Sequence, residues 1–133
     1  MKWTDIDKKC IETIKSNSKY FKHSAITADI SDMLGGELLK ICNLKRGELF
    51  LLAGGPPCQG FSVAGKRIVE DSRNKLYKSF VRFVEVFKPK AFLMENVPNI
   101  LSIGGGLVKD SIINDFEQLG YTISVKVLTA SDY

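Results

Sequence analysis

Two side chains in this sequence have the chemistry and the setting for covalent catalysis. Cys58 lies in Gly54-Gly55-Pro56-Pro57-Cys58-Gln59-Gly60, directly after an apolar run, Leu49-Phe50-Leu51-Leu52-Ala53, of the length of a buried strand. Glycine and proline stop that strand abruptly, so the sulfur is expected on a turn at its carboxyl end, with rigid backbone before it and a glycine-containing loop after it. A second apolar run, Ala91-Phe92-Leu93-Met94, ends in Glu95-Asn96-Val97-Pro98. A thiolate can attack an electrophilic carbon, and a carboxyl group can carry the proton that such an attack calls for. Taken singly, Cys58 reads better as a small buried hydrophobe and Glu95 as an exposed carboxylate after a strand. Their common place, at the carboxyl ends of two strands, is what points to chemistry, since open α/β sheets carry their sites there.

The elements that must position this pair follow from hydrophobic spacing. Between the two runs, Asp71-Ser72-Arg73-Asn74-Lys75-Leu76 leads into a helix whose buried face is Leu76, Phe80, Phe83, Val84 and Phe87. Strand, helix and strand make one right-handed crossover unit. Upstream, Lys2 to Ile6 forms a short strand and Asp7 caps a helix with an apolar face of Cys10, Ile11 and Ile14, ending at Asn17. A weak strand is expected near Ser24-Ala25-Ile26, a short helix or turn over Gly35 to Cys42, and a link through Lys45-Arg46-Gly47 into the central strand. His23, the only histidine, has no neighbours that would make it a ligand or base and is expected at the surface. Downstream, Val97 to Gly106 reads as a loop. Gly104-Gly105-Gly106 is taken as a hinge rather than a phosphate cradle, since it fits neither glycine-rich phosphate pattern. A helix with the face Val108, Ile112, Phe116 and Leu119 follows, stopped by Gly120. The alternation of Tyr121, Ile123, Val125 and Val127 predicts a half-buried strand to Leu128. No repeat, linker or low-complexity segment interrupts the chain, so one α/β domain over residues 1–133 is expected.

GGPPCQGFSVAGKR, then DSRNKLY, then ENVPNIL, in this order and at this spacing, resemble the catalytic motifs of the cytosine carbon-5 DNA methyltransferases. Asp5-Ile6-Asp7 and Ala28-Asp29-Ile30 resemble that family's acidic strand end and its third motif, so nearly the whole chain is covered. The resemblance implies a partial doubly wound, Rossmann-like, three-layer αβα methyltransferase sheet with mostly parallel strands. It implies that Cys58 adds to carbon 6 of a flipped cytosine, that Glu95 serves ring nitrogen 3, and that Gln59 and Asn96 complete the catalytic set. S-adenosylmethionine is the implied cofactor, with Asp5 at the ribose, Ile6 and Ile30 at the adenine ring, Asp29 at its amino group, and Gly55, Pro57 and Leu76 also in contact. DNA is the implied partner, touched by Ser62, Lys66, Arg67 and Arg73, in the setting of restriction and modification. Transfer-RNA cytosine methyltransferases are similar, but after Pro-Cys-Gln they usually read Pro-Phe-Thr where this chain has Gly60-Phe61-Ser62, which favours DNA. A remnant or binding module in which Cys58 and Glu95 are idle is the other alternative.

Bulk composition narrows the classes. A chain of 133 residues makes one domain, able to bury about two-thirds of its unfolded surface. No apolar run approaches the ~20 residues of a membrane span, and the first residues do not resemble a signal peptide. Cys10, Cys42 and Cys58 are odd in number and lack paired spacing, which argues against a disulfide framework and a zinc site. An intracellular protein, cytoplasmic or associated with the nucleoid, is therefore expected. The formal charge of +4 is compatible with a polyanionic partner without demanding one.

The family pattern also contains a first strand with a Phe-x-Gly-x-Gly turn, and a later arginine-bearing motif with a target-recognition part, for which this sequence has no counterpart. In the doubly wound order that first strand is central. Its absence is expected to leave open sheet edges that invite a complementary chain or self-association. The isolated chain is accordingly expected to bind S-adenosylmethionine poorly and to leave DNA unmethylated.

Overall fold

The computed structural model describes residues 2–20, 24–57 and 75–132. The chain divides into two compact units, Met1–Leu52 with Arg82–Phe92, and Ala53–Val81 with Leu93–Tyr133. His23 lies outside the described residues.

In the first unit, β1 (Lys2–Asp5), α1 (Lys8–Ser16) and β2 (Ser24–Thr27) form a strand-helix-strand turn. Local chemistry sets its limits. The Asp7 carboxylate accepts the Lys9 amide at 2.8 Å, satisfying one of the orphan donors of the first turn. Asn17 closes the other end, its Nδ2 donating to the Thr13 carbonyl at 2.8 Å. β1 and β2 pair in parallel, Lys2 opposite Ser24, Trp3 opposite Ala25, Thr4 opposite Ile26 and Asp5 opposite Thr27. α1 packs on both strands, burying Ile11 beside them. Cys10 departs from the expected apolar face: it is exposed, because the packed stripe of a nine-residue helix is narrow and is filled by Ile11 and the half-buried Ile14.

α2 (Gly35–Cys42) forms as a helix and ends at Asn43, whose left-handed φ of 52° lets its own amide and that of Leu44 reach back to Lys40 and Leu39. Leu38 of α2 meets Phe83 and Phe87 of α3 (Lys75–Phe87) in a buried cluster flanked by Ile30, Met33, Leu49 and Leu52. The Phe83 and Phe87 rings pack edge to face, 6.5 Å between centroids. β3 (Leu51–Gly54) and β4 (Ala91–Met94) are neighbours. Their bonds advance together along both strands, Lys90 N–H to Leu49 carbonyl and Ala91 N–H to Phe50 carbonyl, which makes the pair parallel. Among the described residues, β1 pairs with β2 and β3 with β4, and no other ladder forms.

The second unit holds the carboxyl ends of β3 and β4, the start of α3, two 3-10 turns (Pro98–Leu101 and Ile103–Gly106) and α4 (Leu107–Gln118). The segment expected to be a loop is thus wound into turns. Gly104, Gly105 and Gly106, all at positive φ, steer the chain into α4. Phe116 of α4 is almost fully buried and meets Phe80 of α3 edge to face at 6.2 Å. Beside them the Tyr77 hydroxyl donates to Asp115 Oδ2, which also receives Lys78 Nζ at 2.6 Å. Burial first, then that bond to the carboxylate, raise the Tyr77 phenol above its ordinary pKa.

The expected strand over Tyr121 to Leu128 is absent. These residues are irregular, and Val125, Val127 and Leu128 are more than half exposed. Alternation supplies two faces, but a strand exists only against a partner ladder, and none lies beside this segment among the described residues.

Truncating the Phe83 ring would leave a cavity in the first unit's core. Phe83→Ala is expected to cost about 3–5 kcal/mol, read as a lower denaturant midpoint at unchanged m-value.

Candidate active site

In the second unit the ladder of β3 and β4 ends in the bond from Glu95 N–H to the Gly54 carbonyl, 3.0 Å. Past it the two chains emerge side by side, as the strand-end reading requires. The Glu95 side chain lies along the Gly54-Gly55-Pro56 turn: a Cβ placed on Gly55 would stand 3.0 Å from Glu95 Oε2. Gly55 thus gives the carboxylate its room. Asn96 ties the two turns together, its Nδ2 donating to the Pro56 carbonyl at 2.7 Å while its Oδ1 accepts the Val97 amide at 3.0 Å. The Pro56 carbonyl lies two residues before Cys58 in the sequence, and one amide side chain holds it from the strand beside it. Beneath, a Cβ on Gly54 would fall 2.9 Å from Phe80 Cε2, and Phe80 is held by Phe116. The strand end is therefore seated on α3 and α4 through an absent side chain.

Glu95 and Asn96 are brought together with Gly55 and the Pro56-Pro57 turn. Leu76 lies half-buried at the start of α3. Cys58, Gln59, Ser62, Lys66, Arg67 and Arg73 lie outside the described residues.

In the first unit the two acidic positions stand at the carboxyl ends of paired strands. Asp5 closes β1, its carbonyl accepting the Ala28 amide at 2.9 Å and its Oδ1 the Asp7 amide at 2.8 Å. Ile6, next to it, is 67 % exposed. Asp29 begins the turn after β2; its Oδ1 accepts both the Ser31 hydroxyl at 2.7 Å and the Ser31 amide at 2.8 Å. Those two bonds, the hydroxyl first, hold the Asp29 carboxyl below its usual pKa, against a smaller opposing effect of desolvation. Ile30 is half-buried and packs against the cluster of Leu38, Phe83 and Phe87. Two carboxylates and an exposed apolar side chain on adjacent strand ends suit a ligand with hydroxyls, an exocyclic amine and a flat ring.

Ser31 and the Pro56 carbonyl were not singled out by the motifs. For Ser31 the signal was present: Asp followed two residues later by Ser is the pattern of an Asx turn. Among the described residues no group of three or more His, Cys, Asp or Glu side chains is arranged to hold a metal ion. Nor is any helix among them long and apolar enough to cross a membrane.

Two expectations follow. Asn96→Ala should cost about 1 kcal/mol by removing the Pro56 bond, and Asn96→Asp more, because it sets an acceptor against that carbonyl; chemical denaturation of both variants decides. A lowered folded pKa means that the stability lent by Asp29 is present above the ordinary carboxylate range and lost as pH falls through the folded value. Ser31→Ala should move the Asp29 midpoint upward in a carbon-detected NMR titration, while the remaining amide bond keeps it from returning fully.

Comparison with known proteins identifies the family. The model of the C-5 cytosine-specific DNA methylases matches residues 3–133. The chain is 36% identical over 132 residues to the type II methyltransferase M1.HphI of Haemophilus parahaemolyticus, covering 97% of this chain and 34% of that protein. It is 44% identical over 113 residues to M.DdeI of Desulfomicrobium norvegicum, covering 83% of this chain and 26% of that one. A crystal structure of a DNA modification methyltransferase encoded within an E. coli prophage superposes with a TM-score of 0.63 at 27% identity, covering 88% of this chain and 31% of that one. The chain thus spans between about a quarter and a third of the length of these relatives. With parallel strand pairs of Rossmann-like α/β type, acidic strand ends and the Pro-Pro-Cys-Gln and Glu-Asn-Val motifs in order along it, the chain belongs to the C-5 cytosine-specific DNA methylases.

Proposed function

We propose that this chain is the catalytic portion of a DNA cytosine-5 methyltransferase of the restriction and modification type. It would move a methyl group from S-adenosylmethionine to carbon 5 of an extrahelical cytosine through a covalent adduct with Cys58. The observation that carries this reading is the Glu95 carboxylate lying against Gly55 on the turn that leads to Cys58, with Asn96 bonded to Pro56 two residues before the sulfur.

Carbon 5 of cytosine is too weak a nucleophile to take a methyl group unaided. The Cys58 thiolate adds to carbon 6, forming a carbon–sulfur bond and pushing an electron pair into the ring, while Glu95 donates a hydrogen bond or proton at ring nitrogen 3 where the charge collects. Carbon 5, now electron-rich, would take the methyl group with S-adenosylhomocysteine as the leaving group; its own proton then passes to water, the electron pair left behind restores the ring double bond, and the carbon–sulfur bond to Cys58 breaks to return the thiolate. S-adenosylmethionine, when bound, supplies the electrophilic methyl group.

A free thiol has a pKa near ~8.5, so the anion needs support, for which Lys66, Arg67 and Arg73 are placed close in sequence. The donor set of the first unit fits S-adenosylmethionine: Asp5 for the ribose hydroxyls, Ile6 with its exposed side chain for the adenine face, and Asp29 with Ile30 for the adenine edge. The family resemblance also implies Gly55, Pro57 and Leu76 as cofactor contacts. Neither face of a stacked cytosine is open to both a thiolate and a methyl donor, so the base must leave the duplex, at a cost of a few kcal/mol that phosphate contacts from Ser62, Lys66, Arg67 and Arg73 offset. The relatives are named type II methyltransferases, which supports DNA over transfer RNA as substrate. Among the described residues β1–β2 and β3–β4 are each two-stranded, which supports association of their outer edges with a complementary chain or a second copy.

Co-expressed with its flanking coding sequence, the chain should form a denaturant-resistant adduct with duplex DNA containing 5-fluorocytosine. Cys58→Ser should abolish the adduct, and Glu95→Gln should slow its formation about 10²–10⁴-fold. An adduct that persists without the sulfur would end this reading.

A further inference from the structure

The loop after β2 is built around a side chain from another element. Arg82, on α3, reaches back to this loop, and its Nη2 donates to the carbonyls of Ile30 and Met33, each at 2.9 Å, with the Ser31 carbonyl at 3.4 Å. None of these residues belongs to a strand or helix, so no ladder employs their carbonyls. The same loop carries the Asp29 carboxylate, whose Oδ1 gathers the Ser31 amide and hydroxyl. One short segment is thus pinned twice: its donors turn toward Asp29 and its acceptors toward Arg82.

The rest of the Arg82 side chain argues that the carbonyl bonds decide its position. Its Nε is buried with no hydrogen-bond partner among the described residues, an unfavourable placement that the bonds at the far end of the guanidinium offset. The cation also lies 5.5 Å from the centroid of the Phe83 ring, a member of the buried cluster on which Ile30 packs. A lysine would keep the charge and the stem but lacks the planar fork that stacks on an aromatic ring while donating from its tip.

We propose that Arg82 is a positioning residue: by holding the Ile30 and Met33 carbonyls it sets the shape in which the Asp29–Met33 loop receives the adenine end of the methyl donor. This rests on the assignment of Asp29 and Ile30 to that ligand. Arg82 touches neither the reacting atoms nor the ligand; it acts by fixing the backbone from which the Asp29 carboxylate projects.

The test uses the 133-residue chain labelled for NMR, with Arg82→Met and Arg82→Lys beside it. Two quantities are read: the Asp29 carboxyl midpoint, and the amide shifts of Asp5, Ile6, Asp29 and Ile30 on titration with millimolar S-adenosylhomocysteine. The low Asp29 midpoint comes from the two Ser31 bonds, so it reports the geometry of the loop. Arg82→Met should bring that midpoint up toward the ordinary carboxylate range and weaken S-adenosylhomocysteine about tenfold, with Arg82→Lys between it and the parent. Should Arg82→Met unfold, judged by the α1 amide shifts, Arg82→Lys decides on the same two readouts. Parent-like midpoint and affinity in the variants would overturn the proposal. Absence of any shift in the parent chain is what the weak cofactor binding expected of the isolated chain predicts, and the Asp29 carboxyl midpoint then decides alone whether Arg82 holds the loop.

Discussion

The parallel pairing of β3 and β4 is the constraint on which the candidate site depends. Its last bond, from the Glu95 amide to the Gly54 carbonyl, fixes the register at the point where both strands stop. From there, period-two alternation assigns opposite faces to neighbouring residues: Gly54 toward Phe80, Gly55 toward the Glu95 carboxylate. A slip of one residue would exchange these faces, setting the carboxylate against the wrong glycine and a ring where none fits. Two adjacent glycines thus serve two separate close approaches.

Short polar side chains then lock what the ladder leaves open. Asn96 on the Pro56 carbonyl, Asp5 on the Asp7 amide, Asp7 on the Lys9 amide and Asp29 on the Ser31 amide each satisfy a backbone group just beyond a strand end. Buried or half-buried carbonyls and amides need partners, and a strand end has just lost its neighbours. Three of the residues that the family resemblance singles out, Asp5, Asp29 and Asn96, therefore also close turns. A carboxylate so used is held still, with its other oxygen left over from these bonds.

Much of this was legible in the chain. Asp7 and Asn17 at the two ends of α1, the helix or turn over Gly35 to Cys42, Gly120 after α4 and the apolar face of α3 depend on residues within a few positions of one another, and the structure places each element where that local chemistry puts it. The order of the motifs, and with it the family, is likewise a property of the linear sequence. The alternation of Tyr121 to Val127 was as regular as any of these, yet no strand forms there, because a strand is defined by its partner and not by its own pattern.

What only the tertiary structure decided are contacts between residues far apart in the chain. Asn96 on the Pro56 carbonyl joins positions 40 residues apart, and Arg82 on the Ile30 carbonyl joins positions 52 apart. The sequence determined which side chains stand at strand ends, since that follows from where apolar runs stop and turn formers begin. Which backbone atom each of them would hold was set by the pairing of strands and by the helix packed against them, and no local propensity carries that information.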